Sequence, residues 1–146
     1  MFHFRLESVL KVRERMARIR QKEFSEVMAR QQVLDAKILT HQQSLTRASE
    51  FTNQARRSSA TVFPLEMFNL FQRRLKGEIE LLAEQKREEA QELETKRKIL
   101  VEAKRAQRTL EILREKEQNR YQQEINRRER LTMDEVARNY FLLHSR

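Results

Sequence analysis

The chain has 146 residues, of which 36% are charged and 38% apolar, with one glycine, one proline, no tryptophan and no cysteine. So little Gly and Pro leaves room for about one tight reversal and for no glycine-rich phosphate loop, and the lack of cysteine excludes a disulfide framework or a thiolate metal site. The net charge of +9 and pI near 10.3 arise from bases interleaved with acids along nearly the whole length; with no uninterrupted block of bases and no nucleic-acid module, the expected partner is an acidic protein or surface and no nucleic acid.

Strong helix formers without breakers predict an all-α fold: two long helices in an antiparallel coiled-coil hairpin, the second longer than the first. Residues 1–146 are read as a single such hairpin. Residues 1–20 are basic and amphipathic but lack the apolar block and cleavage site of a secretory signal, and no apolar run is long enough to span a bilayer. A cytoplasmic protein without membrane insertion is expected.

The first helix is predicted over about residues 5–57. Leu6, Val9, Arg13 and Met16 follow the 3,4 spacing of a heptad seam. After a shift that resembles a stutter, the spacing resumes at Phe24, Val27, Gln31, Leu34, Ile38, His41, Leu45 and Ala48. Glu7 with Lys11, Glu14 with Arg18 and Glu26 with Arg30 are expected ion pairs along this helix.

Residues 58–64, Ser-Ser-Ala-Thr-Val-Phe-Pro, are the expected turn. Serine and threonine compete for backbone hydrogen bonds, and Pro64 disfavours helix at Phe63 while suiting the first position of the next helix.

The second helix is predicted over about residues 65–143, some 110–120 Å of helix at about 1.5 Å per residue. Its seam runs through Leu75, Ile79, Leu82, Lys86, Glu89, Leu93, Lys96, Leu100, Ala103, Gln107, Leu110, Arg114, Glu117 and Tyr121, and further on Leu131. So many polar seam positions predict loose pairing. Glu92 with Lys96, Glu94 with Lys98 and Asp134 with Arg138 are expected intrahelical pairs. A reversal near residue 61 makes residue i face roughly residue 122 − i, so Leu45 lies near Gly77 and Leu6 near Lys116. Residues 122–143 then outrun the first helix unless another molecule covers them. Pairing within one chain or between two is left open.

No catalytic constellation is visible. His3, His41 and His144 are far apart and lack an Asp or Cys cluster with metal-ligand spacing, so no enzyme activity, cofactor or metal is expected. Two apolar clusters stand out instead. Phe63, Leu65, Met67, Phe68, Leu70, Phe71 and Leu75 point in several directions around the helix beside the turn; they either cap the tip against Phe51 or form a docking patch. At the chain ends, Met133, Val136, Tyr140, Phe141, Leu142 and Leu143 accompany Phe2 and Phe4, and either pack on one another or enter a socket on another protein. Arg5, Lys11, Arg13, Arg15, Arg18, Arg127, Arg128 and Arg130 would suit an acidic socket.

Residues 2–13, Phe-His-Phe-Arg-Leu-Glu-Ser-Val-Leu-Lys-Val-Arg, resemble the opening of the flagellar export protein FliJ family, and residues 129–135, Glu-Arg-Leu-Thr-Met-Asp-Glu, resemble its C-terminal segment. The resemblance implies a stalk component of the flagellar type III export machine, an antiparallel coiled coil similar to the stalk of rotary ATPases. Such a stalk inserts into the hexameric flagellar export ATPase, promotes its activity and links it to the export gate membrane protein, with export chaperones as further partners. It implies ATPase contacts at Phe4, Leu6, Arg13, Arg127, Arg130, Met133, Asp134 and Glu135, and gate contacts at Phe68, Phe71, Leu75 and Leu82. A cytoplasmic protein peripheral to the inner-membrane export apparatus is the implied location. A stalk of a virulence-type secretion system, or a generic basic coiled-coil scaffold associated with nucleic acid, are the alternatives.

Overall fold

The computed structural model describes residues 1–58 and 62–144, the side chains of 62–64 excepted. Two helices account for nearly all of it: α1, Glu7–Arg57, and α2, Val62–His144. The first helix opens with Glu7 in its first turn and closes on Arg56 and Arg57, charges that complement its dipole at both ends. The Glu7 amide donates to the Phe4 carbonyl at 3.2 Å, which ties the entering chain to the helix start. The second helix starts at Val62 rather than Leu65, so Pro64 stands in its first turn, where its missing N–H is a donor that would have had no intrahelical partner. Of the expected turn, Ser58 is in a turn and residues 59–61 lie outside the described residues. Among the described residues there is no strand, and the two long helices form the expected hairpin, the second being the longer.

The packing resolves into two compact units, Met1–Arg18 with Val101–Arg146, and Ile19–Leu100. In the second of these, which holds the turn, side chains bridge α1 and α2 at a constant register. Lys96 pairs with Glu23 at 3.5 Å, Arg30 with Glu92 at 2.9 Å and Glu89 at 3.5 Å, Lys86 with Asp35 at 2.6 Å, and His41 Nδ1 lies 3.7 Å from Glu78. Gln72 donates to Ser49 and Thr52 at 3.4 Å each, and the rings of Phe51 and Phe68 lie 4.3 Å apart. The residue numbers of these pairs add to between 119 and 124, as an antiparallel pairing about a reversal near residue 61 requires. In the other unit, Met1 with Tyr121, Phe2 with Tyr121 and Glu7 with Arg114 add to between 121 and 123.

Among the described residues very little lies fully inside: the buried apolar side chains there are Phe4, Leu10, Ala17, Val27, Ala48, Leu75 and Leu100, joined by Thr52, whose hydroxyl is satisfied by donating to the Ala48 carbonyl at 2.8 Å. From Phe24 to Ala48 the expected seam of α1 is buried or half-buried throughout, and so is that of α2 from Leu75 to Tyr121 apart from Arg114. Before Phe24 the seam differs from expectation. Val9, Arg13 and Met16 are exposed, whereas Phe4, Leu10 and Ala17 are buried, with Glu7, Glu14 and Arg20 half-buried beside them. The register sets Ala17 opposite the stretch from Ala103 to Ala106, both half-buried, which places small side chains on both sides of the seam there, while the larger Val9 and Met16 are exposed. The expected seam residue Leu131 is exposed, several turns past Arg114, which pairs with Glu7 in the first turn of α1.

The charged pairs also rearrange. Glu14 with Arg18 forms at 3.9 Å, but Arg30 leaves Glu26 to Lys22 and crosses to α2, Lys96 leaves Glu92 and crosses to α1, Glu7 crosses to Arg114, and Glu94 takes Arg97 rather than Lys98. An exposed i,i+4 pair is worth only a few tenths of a kcal/mol, so a cross-helix partner at the seam edge displaces it readily.

Candidate protein-docking surfaces

The unit built from the chain ends begins with a small anchored core. Phe4 and Leu10 are withdrawn from solvent, the Phe2 ring packs 5.7 Å from Tyr121 at a tilt of 46°, and the Met1 ammonium donates to the Tyr121 hydroxyl at 3.0 Å. Further along α2, Gln107 and Arg108 both donate to Glu111, at 2.7 and 3.1 Å, and hold its carboxyl below the usual range. A cleft lined by Phe2, His3, Arg120, Tyr121 and Arg127 lies beside the anchor. Arg120 and Tyr121 were not among the expected contact residues, although the register that makes residue i face residue 122 − i sets Phe2 opposite Arg120.

Ile125 is the last half-buried position along α2. Residues 126–144 are all exposed, about 28 Å of helix at 1.5 Å per residue. Met133, Val136, Tyr140 and Leu143 make an apolar stripe at 3,4,3 spacing, led by Met133 at 72% exposure. At 3.6 residues per turn this stripe is rotated about 100° from Glu117 and Tyr121 and about 40° from Ile125. The stripe therefore leaves the edge of the hairpin seam and turns away from it along the exposed stretch. Tyr140 stacks on His144 with ring centroids 4.1 Å apart, and the His144 ring bonds the Tyr140 carbonyl at 2.9 Å, which fixes the outer end of the stripe.

Charge distinguishes this unit from the other. It holds 16 Lys and Arg against 10 Asp and Glu, a net +6 within 64 residues, against 15 and 12, a net +3, in the 82 residues of the unit with the turn. Of the residues expected to meet an ATPase, Arg13, Arg127, Arg130, Met133, Asp134 and Glu135 are exposed, Leu6 is half-buried and Phe4 is buried at 3% exposure. Phe4 can thus act on a partner only by fixing the end on which the others stand.

In the unit with the turn, Phe68 is half-buried against Phe51, and Phe71, Met67 and Leu70 are exposed. Leu75 is buried at 5% exposure and holds the hairpin together rather than offering a surface. Leu82 is half-buried in a different place, a cleft it shares with Val33, Lys37, His41, Glu78 and Leu81. Leu65 is half-buried, and the Phe63 side chain lies outside the described residues.

Among the described residues no three His, Asp or Glu cluster as metal ligands would, and no helix is long and apolar enough to cross a membrane. The family model described as flagellar FliJ protein matches residues 2–146. No curated protein and no solved structure gives a significant match.

Proposed function

The chain belongs to the flagellar FliJ family, and from that premise we propose that it is a noncatalytic stalk of the flagellar type III export apparatus, cytoplasmic and peripheral to the membrane. Membership brings a general role in flagellar protein export; the division of labour between the two units is our own reading. The unit made from the chain ends enters the hexameric export ATPase and promotes its activity. The observation that carries this is the stretch of α2 at 126–144, exposed throughout, with an apolar stripe that its own hairpin leaves open to solvent. An exposed apolar face of this kind on a long helix is an interface awaiting a partner. The net +6 of the unit suits an acidic socket and would speed encounter with it.

The turn end, with Phe68 and Phe71, and the cleft at Leu82 are left for the export gate membrane protein, and export chaperones are further candidates for the same surfaces. The role asks for no catalytic group, because orientation and contact do the work. Purified chain added to the export ATPase should raise its turnover or its assembly into hexamers, and a chain ending at Ile125 should not. Equal stimulation by both would refute the assignment of the 126–144 stretch to the ATPase.

A further inference from the structure

Charge is unevenly spread within the unit that holds the turn. Residues 47–76 contain Arg47, Arg56, Arg57, Arg73, Arg74 and Lys76 against only Glu50 and Glu66, a net +4, so the rest of that unit, at +3 overall, sums to −1. Its other bases are largely tied up in pairs with acids across and along the helices. At the turn end only Arg74 has an ion pair, with Glu78 at 3.0 Å; Arg47, Arg56, Arg57, Arg73 and Lys76 have none among the described residues. Interleaved with these cations are the exposed apolar side chains of Phe51, Met67, Leu70 and Phe71.

We propose that this turn end binds an anionic lipid surface directly. Cations beside exposed aromatic and aliphatic side chains are the arrangement that seats a helix at a bilayer interface, where the apolar groups enter the headgroup boundary and long Arg and Lys side chains reach the phosphates. The spread of charge points to lipid. The cations come from the last three turns of α1 and from several sides of α2, whereas the exposed apolar groups of α2, Met67, Leu70 and Phe71, stand at i, i+3 and i+4 on one face, and the clefts of this unit lie further along, lined by Val33, Leu34 and Glu89 and by His41, Glu78 and Leu82. One apolar face seats at the headgroup boundary of a laterally fluid anionic surface whose phosphates meet cations on any side, while a protein socket needs an acidic group placed for each. The proposal concerns the isolated chain and does not depend on how it meets the ATPase or the gate.

The test is flotation of the purified full chain with vesicles of phosphatidylcholine alone or with about a third phosphatidylglycerol. Binding to the anionic vesicles only, weakened by raised salt, is expected. Each cation near an anionic surface strengthens binding about fivefold, so Arg56→Gln, Arg57→Gln and Arg73→Gln together should weaken it about a hundredfold while the circular dichroism spectrum stays that of the parent. Leu70→Ser should weaken it further. Removing the same charge from the middle of the unit, by Lys22→Gln, Arg87→Gln and Lys98→Gln, should leave most of the binding. Absence of binding to anionic vesicles overturns the proposal and leaves the patch to protein partners. So does retention of binding in the triple turn-end variant, or its loss in an Arg127→Gln, Arg130→Gln variant alone, which would put the lipid contact at the chain ends.

Discussion

Replacing Leu10 by alanine tests the register of the chain-end unit more sharply than any other change. Leu10 is 1% exposed and is the largest side chain wholly withdrawn from solvent, whereas Val9, next to it and part of the seam expected from spacing, is 41% exposed. A buried Leu→Ala change costs about 2–5 kcal/mol, and a two-helix seam closes over a cavity more easily than a layered core, so about 2–3 kcal/mol is expected at Leu10. For a chain of this size that corresponds to a fall in Tm of roughly 5–10 °C. Val9→Ala loses a partly exposed side chain but gains helix propensity of about half a kcal/mol, so its net effect should be near zero. Urea and thermal unfolding followed at 222 nm measure both, and amide exchange over the first turns of α1 reports whether the loss is local. If Val9→Ala proves as costly as Leu10→Ala, the seam runs through Leu6, Val9 and Met16 and the packing of Ala17 against α2 is wrong.

The remaining predictions concern the seam, the exposed helix and pH. Lys86→Leu should raise Tm slightly, by about 1–3 °C, because the Asp35 pair it removes is half-exposed and worth at most about 1 kcal/mol while the seam gains an apolar layer. Gly77→Ala should stabilise by about 0.5–1 kcal/mol, since a Cβ there meets nothing within 4 Å, and a loss of stability in thermal unfolding would contradict that open space. Ending the chain at Ile125 should leave the unfolding midpoint of the hairpin almost unchanged while removing the first sites of limited proteolysis, because residues 126–144 contribute no buried side chain. The carboxyls of Glu23, Glu94 and Glu111 are held low, chiefly by hydrogen bonds from Arg20, from Arg97, and from Gln107 with Arg108. Their contribution is therefore present above the ordinary value of 4.5 and lost as pH falls through the lower folded-state values, so Tm should be flat near neutrality and drop below about pH 4.5, less steeply in Glu111→Gln.

The hairpin was legible because apolar residues recur at 3,4 spacing often enough to carry the polar positions between them, and one proline marks the break; the seam from Phe24 to Ala48 and from Leu75 to Leu110 follows that spacing. The first twenty residues were not, because two stripes compete there. Leu6, Val9 and Met16 carry more apolar weight than Leu10 and Ala17, yet close approach of two helices is decided by which side chains are small, and alanine is nearly silent in a hydropathy pattern. Ion pairing was misread for an energetic reason: Arg30 and Lys96 have partners of nearly equal worth along and across the helices, and only their position at the seam edge separates the choices. At the candidate surfaces, residue type identified aromatic anchors but not which way they face. Phe4 and Leu75 turn inward while Phe71 and Met133 turn out, a difference of one helical step that spacing alone assigns only when the seam itself is known.

A fold with so few buried side chains places its binding energy outside itself. Phe4, Leu10 and Ala17 seat the start of α1, and nothing beyond Ile125 is asked to pack, so a partner that covers the Met133, Val136 and Tyr140 stripe displaces no contact of the hairpin and incurs no cost of opening it. Docking of that kind is limited by encounter rather than rearrangement, which is where a net +6 matters: it raises the association rate at low salt and leaves dissociation largely to the apolar stripe. The two contributions then separate in kinetics. Arg127→Gln with Arg130→Gln should slow association with an acidic partner and flatten its salt dependence, while Met133→Ser with Val136→Ser should speed dissociation at unchanged salt dependence. Equal effects of both pairs on the dissociation rate would mean that the arginines are buried in the contact rather than steering toward it.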